Sequence, residues 1–326
     1  MQKVIDAIME ALETIVDLVM NLIGLIIKPM FADTAVTFRE LGDELFTGFM
    51  TRAIEVLQMT PEEWNAEGWG YIINTAYSVF VAFGSQLVLL FFLISFFADS
   101  IEPQKEMRLE TIIKALIKIL FAQFLVVYSL EIVTTLFDII GTFMNYILRD
   151  VSILTNTGDY NMADWDATYS NIRVNGVWAT DMTTYLQGVS TGYFILSIFG
   201  ALIYLIVMAG AGGVIAYTAY MRFFKIMLIV PYGSIVSSTA AGGHSLNHHT
   251  MQYYKYILSV LFEAVTIIVA ISLFTYMMKG NDFQVINLKS PYANVLEAFI
   301  NRALAALLLV GAVKGAGVIT QKGLGS

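Results

Sequence analysis

Forty consecutive residues, Met182 to Met221, contain no Asp, Glu, Lys or Arg, and the 31 residues from Gly68 to Ala98 contain none either. A helix crosses the hydrocarbon core of a bilayer in about 20 apolar residues, because it satisfies its backbone polar groups internally. Two such runs commit the chain to a membrane. Composition agrees: 57% of residues are apolar, 13% are charged and the mean hydropathy is +0.70, whereas soluble domains carry about 25% charged residues.

Three further stretches can cross. Ile112 to Leu148 carries Glu131 and Asp138 within its apolar length, Tyr256 to Met278 carries Glu263, and Val295 to Val313 carries Glu297 and Arg302. The uncharged stretch Ile226 to Gly243 is different, because it contains Pro231 and ends in Ser237-Ser-Thr-Ala-Ala-Gly-Gly243. Proline removes a helix hydrogen bond, and small polar residues suit protein better than lipid, so a broken re-entrant segment is expected there rather than a span. The predicted fold is an all-α polytopic membrane bundle of about five transmembrane helices, with that re-entrant segment and an N-terminal amphipathic helix. Its expected regions are an acidic extracytoplasmic part (1–70), two spans joined by a basic cytoplasmic loop (71–148), an extracytoplasmic loop (149–187) and three spans with a cytoplasmic C-terminus (188–326).

Charge supplies the orientation. The net charge of −8 lies wholly in residues 1–70, which hold twelve acidic against four basic residues, while the rest hold fourteen of each. Lys and Arg are retained on the cytoplasmic side, so this acidic part is expected outside. With five spans, Lys105, Arg108, Lys114, Lys118, Arg222, Lys225, Lys255, Lys314 and Lys322 fall inside, and only Arg149, Arg173, Lys279 and Lys289 fall outside. The expected location is a bacterial cytoplasmic membrane, N-terminus out and C-terminus in. Trp64, Trp69, Trp165 and Trp178 then share the outer side, where tryptophans either sit at headgroup level or pack an outer domain. Acidic residues recur where a cleavable signal would need an apolar core, so none is expected. The pI of about 4.9 excludes an extended basic groove for nucleic acid.

Polar residues fall on helical stripes. Lys3, Asp6, Glu10, Glu13, Asp17, Asn21 and Lys28 recur at steps of three, four or seven, one narrow face of a helix. That face can meet the outer interface, neighbouring subunits, a lumen or the chain's own bundle; its acidity disfavours simple lipid anchoring. Thr60-Pro61-Glu62-Glu63 has the form of a helix start with an N-cap, a proline at N1 and a glutamate at N3. In the second span Glu131, Thr135, Asp138, Thr142 and Asn145 advance by four, three, four and three. Lipid will not solvate them, so they and Glu263 are expected to face other helices, another subunit or a conduit.

Other motifs are weaker. Gly210, Gly212 and Gly213 permit a helix break or close packing, and Pro231 a break. His244 and His248 have the i, i+4 spacing of zinc ligands, with His249 adjacent, but lack HExxH, so no metal site is expected. Asp159, Asp164 and Asp166 lack the glycine and glutamate of a calcium loop and read as a solvated acidic loop. Without cysteine there are no disulfides, thiolate sites or cysteine nucleophiles. With no P-loop, no GxSxG and no inverted repeat, neither an enzyme nor a cofactor is expected.

The stretch Arg222-Phe-Phe-Lys225-Ile-Met-Leu-Ile-Val-Pro231-Tyr-Gly-Ser, followed by a small polar segment and Tyr253-Tyr-Lys255-Tyr-Ile-Leu-Ser-Val-Leu-Phe, resembles the TrbL-like polytopic subunits of type IV secretion systems. The chain is most similar to the compact versions carried by conjugative elements of Gram-positive bacteria. The likeness covers Arg222 to Phe274 as sequence and most of the chain as architecture. It implies a homo-oligomeric membrane platform, such as a pentameric ring, working with separate ATPases and a coupling protein while DNA or protein passes. It carries over no catalytic residues. Two other classes stand beside it: a carrier or ion channel using Glu131, Asp138 and Glu263, and a purely structural scaffold.

Overall fold

A computed structural model describes residues 14–16, 18, 19, 22, 28–101, 109–150, 172–174, 177–179, 191–279, 285, 286 and 294–324. Its elements are α1 (Lys28–Gln58), α2 (Pro61–Trp64), α3 (Ala66–Tyr71), a π-helical turn (Ile72–Tyr77), α4 (Ser78–Ile101), α5 (Leu109–Asp150), β1 (Ile172–Val174), β2 (Val177–Ala179), α6 (Thr191–Ile229), α7 (Tyr232–Ser238), a 3₁₀ turn (Thr239–Ala241), α8 (His244–Lys279) and α9 (Asn294–Leu324). The two strands form one small antiparallel hairpin with Arg173 opposite Trp178.

Five segments are long and apolar enough to cross a membrane: Ala66–Phe97, Ile112–Ile147, Phe194–Ile229, Leu246–Phe274 and Leu296–Leu324. The protein is an all-α, multi-pass membrane bundle. The helix that carries the third segment continues past the expected end at Met221 to Ile229, while Met182 to Ser190 lie outside the described residues. Arg222, Lys225 and Ile226 to Ile229 therefore belong to α6, and the re-entrant segment is correspondingly shorter than expected.

The chain divides into two compact units. The first comprises Met1–Thr51, Thr157–Ile215 and Leu273–Gly311; the second comprises Arg52–Asn156, Ala216–Ser272 and Ala312–Ser326.

In the first unit small residues let helices close on one another. A Cβ on Gly42 would lie 3.2 Å from the Leu205 Cα, and one on Gly212 would lie 3.0 Å from the Phe49 Cβ and 3.1 Å from the Phe46 Cα. Gly212 thus serves close packing. Of the two readings of Gly210 to Gly213, a break or close packing, α6 shows no break there, and a Cβ on Gly210 or Gly213 would meet nothing within 4 Å. Tyr204 stacks on Phe299 at 5.1 Å. Asn301 accepts from the Val285 and Ile286 N–H groups (3.2 and 3.0 Å) and donates to the Ile286 carbonyl (3.0 Å).

In the second unit the helix starts follow local chemistry. Thr60 caps α2, and Glu63 returns a hydrogen bond to the Thr60 N–H (2.8 Å), the reciprocal box legible in the sequence. Asn65 caps α3 through the Gly68 N–H at 2.9 Å. Pro231 ends α6 because it has no N–H to donate and its ring crowds the preceding turn. The chain tightens there, with the Gly233 N–H bonding the Val230 carbonyl at 3.0 Å, and the Ile229 carbonyl accepts from the Tyr253 hydroxyl at 3.2 Å.

The serines of α7 are buried and satisfied. Ser234 meets Ser129 at 3.3 Å, Ser237 meets Tyr254 at 3.0 Å and Thr239 meets Thr250 at 2.9 Å. Tyr77 wedges into α5, donating to the Val127 carbonyl (3.0 Å) and accepting from the Leu130 N–H (3.2 Å). Around them Val88, Ala122, Val126, Ala240 and Ala241 form a core of small side chains. The break at Pro231 is therefore a helical hairpin bedded in protein, where irregular backbone is tolerated.

Among the described glycines of this unit Gly84 makes the closest approach to backbone: a Cβ there would stand 2.7 Å from the Ser234 carbonyl oxygen. Backbone cannot swing away as a side chain can, so Gly84→Val is expected to lower stability by about 1–3 kcal/mol, the usual cost of overpacking. Equilibrium unfolding in detergent measures it, and an unchanged midpoint would contradict the packing described.

Candidate functional site

The second candidate span carries an unusual surface. Glu131, Thr135, Asp138, Thr142 and Asn145 are all exposed on α5. The Thr135 and Thr142 hydroxyls fold back onto the Glu131 and Asp138 carbonyls at 2.7 and 2.9 Å. Neither carboxylate has a side-chain partner among the described residues. Helical periodicity had grouped these five on one face, and the structure turns that face outward.

Its surroundings matter equally. Ile139, Phe143 and Tyr146 beside the polar line are 57%, 47% and 61% exposed, and toward the start of the helix Leu120, Phe124 and Val127 are exposed too. Lipid cannot hydrogen-bond the carboxylates, and water does not favour the large apolar neighbours. A mixed surface of this kind suits contact with another protein surface.

Glu263 has the opposite fate. It is 6% exposed on α8, and its carboxylate oxygens lie 3.4 and 3.3 Å from the Lys225 ammonium on α6. A Cβ on Gly317 of α9 would come within 2.8 Å of its Oε1, so glycine makes room for the carboxylate. Lys225→Met is expected to destabilise by about 1–3 kcal/mol, less than a fully buried pair because Lys225 is 39% exposed. Adding Glu263→Gln should recover most of that loss. If the double variant is as unstable as the sum of the singles, measured by unfolding in detergent, the two groups do not act as a pair.

Two charged centres were not legible in the sequence. Arg222 is 1% exposed, donates to the Leu57 carbonyl at the end of α1 (3.0 Å), and lies 5.8 and 5.7 Å from the Phe137 and Phe223 ring centres. A desolvated cation held between rings gains about 2 kcal/mol, offsetting part of its burial. Trp64 stacks on the same Phe223 at 5.0 Å and meets Phe224 edge-on at 5.5 Å, while Trp69 is 4% exposed. For these two tryptophans packing, not headgroup exposure, sets the position. Nearby Arg52 bonds Glu55 (2.8 Å) and Tyr220 (3.0 Å), and these bonds, Glu55's first, raise its pKa above the ordinary guanidinium value.

The second centre lies in the first unit. Asp43 accepts from Arg302 at 3.2 Å and from the Tyr204 hydroxyl, with Arg39 at 3.9 Å. Arg302 and Tyr204 are 2% and 1% exposed. The only sequence hint was an arginine within the fifth apolar run.

The N-terminal stripe residues Lys3, Asp6, Glu10, Glu13, Asp17 and Asn21 lie outside the described residues, and Lys28 belongs to α1. Asp159, Asp164, Asp166 and Trp165 also lie outside them. His248 is hydrogen-bonded to Gln252 at 2.9 Å, and among the described residues no three His, Asp or Glu side chains gather as metal ligands. No protein-family model, no curated protein and no solved structure matches the chain.

Proposed function

We propose that this protein is a channel or platform subunit of a bacterial type IV secretion machine, assembling as a homo-oligomer in the cytoplasmic membrane to help DNA or protein cross. The observation that carries this reading is the polar line of α5, exposed within a candidate span and bordered by exposed apolar side chains. A lone subunit would strand its two carboxylates; subunits around an axis cover them or turn them to a shared conduit. The resemblance of residues 222–274 to the TrbL-like subunits supplies the machine, and with it the ATPases and coupling protein as partners. The charge asymmetry supports an acidic N-terminal part outside and the C-terminus inside.

The buried Lys225–Glu263 pair favours a second reading, a carrier that couples solute to ion movement through intramembrane carboxylates. It is the weaker one, because Lys225 already neutralises Glu263, and Glu131 and Asp138 lie on the outside of the chain instead of around an internal cavity. One experiment separates the two. Deleting the gene in its host should abolish conjugative DNA transfer, with restoration by the intact gene, while vesicles holding the purified protein show no proton- or sodium-coupled uptake. Normal transfer in the deletion strain together with coupled uptake in vesicles would establish the carrier instead.

A further inference from the structure

We infer that copies of this chain associate head to tail, the acidic line of α5 on one copy seated against the Lys314 and Lys322 face of α9 on the next. The inference rests on the oligomeric reading above and names the two surfaces that reading needs.

The face on α9 has the complementary chemistry. Lys314 and Lys322 are exposed and have no partner among the described residues. Gly311 and Gly315, four residues apart, lie beside Lys314, and a Cβ on either would meet nothing within 4 Å. Leu307 and Val318 on the same face are 50% and 52% exposed. Small residues at four-residue spacing allow a second helix to approach closely, and here they flank a cation. On α5 the line from Glu131 to Asn145 is acidic, and Gly141 beside it is likewise open.

The two faces also match in level. Phe137, next to Asp138, lies against Arg222 of α6. Lys225, one turn further along α6, pairs with Glu263, which rests on Gly317 of α9. Crossings alternate in direction, so the third and fifth run together and the second runs opposite. Stepping back one turn from Gly317 to Lys314 therefore returns to the level of Arg222, Phe137 and Asp138. Moving on to Lys322 reaches the level of Glu131. The rise from Asp138 to Glu131 is about 10 Å and that from Lys314 to Lys322 about 12 Å, both toward the same end. Asp138 thus pairs with Lys314, and Glu131 with Lys322.

Copies in one membrane share an orientation, so a contact between unlike faces repeats by rotation about the membrane normal and closes as a ring. The N-terminal residues of the same chain are a poorer occupant of the α5 face. Their stripe carries Asp6, Glu10, Glu13 and Asp17 against Lys3 and Lys28, and like charges would meet.

The absence of cysteine makes the test clean. In native membranes, oxidation of the full-length D138C/K314C double variant should give a ladder of cross-linked multimers, and either single variant should stay monomeric on a denaturing gel. In parallel, D138K and K314D should each lower the oligomeric fraction at least about tenfold, and the D138K/K314D double variant should recover it, which separates a lost contact from a lost fold. A cross-linked dimer from D138C alone would place α5 against itself and overturn the pairing. A D138C to E10C cross-link at monomer mass would seat the N-terminal segment there and overturn it too. An intact oligomer by native mass measurement with no 138–314 cross-link would reject these surfaces while leaving the oligomeric reading standing. A monomeric wild-type chain would reject both.

Discussion

Replacing Asp43 by alanine is expected to cost the folded chain about 3–5 kcal/mol, the largest stability effect of any single substitution considered. The carboxylate is the shared anion for Arg302 at 3.2 Å, Arg39 at 3.9 Å and the Tyr204 hydroxyl. Arg302 is 2% exposed, so water cannot take the place of its partner. Without Asp43 both guanidinium groups lose the carboxylate they approach, and Arg302 loses it in a buried site. A domain holds only about 5–15 kcal/mol in total, so the first unit should lose cooperative unfolding at ordinary temperature. Asp43→Asn keeps an acceptor for Tyr204 and removes only the charge, and should fall between wild type and alanine. Combining Asp43→Ala with Arg302→Met should restore much of the loss, because an apolar side chain of similar length needs no counter-charge. Denaturant titration in detergent reads all three; a loss under about 0.5 kcal/mol for Asp43→Ala would show that the arginines are solvated in the folded protein.

Replacing Glu131 by Gln and Asp138 by Asn together is expected to leave the monomer's stability within about 0.5 kcal/mol, because both side chains are exposed and have no side-chain partner among the described residues. Its effect should fall on assembly. Polar contacts between helices in membranes contribute about 0.6–2 kcal/mol each, so losing two at every interface lowers association about tenfold to nearly a thousandfold. DNA transfer should fall in step, with ion flux unchanged. Mating frequency and native mass measurement on the same strains test this. A fall in transfer with the oligomer fully intact would move the carboxylates from the subunit contact to the conduit wall. An unchanged oligomer and unchanged transfer would remove the α5 line from both roles.

The carboxylates show where sequence reading stopped. Glu131 and Glu263 look alike in the chain, each an acid in an apolar run with small hydroxyl residues one turn away. Yet Glu263 is enclosed by Lys225 and Gly317, while Glu131 faces outward. Periodicity states which residues share a face, since the 3.6-residue repeat belongs to one helix by itself. It cannot state what the face meets, which depends on helices distant in sequence. The same gap applies to Arg222: its place in the chain does not reveal that it is buried against the Leu57 carbonyl and the rings of Phe137 and Phe223.

By itself the sequence determined which segments are long and apolar enough to cross, the break at Pro231 and the capped start at Thr60. These follow from run length, a missing N–H and a four-residue box, all local properties of the chain. The tertiary structure alone decided that the α5 line points outward, that Asp43 gathers two arginines and a tyrosine, and that Lys225 answers Glu263. Each of these depends on groups brought together from separate helices, and the free energy of a charge is set by what surrounds it, not by its neighbours along the chain.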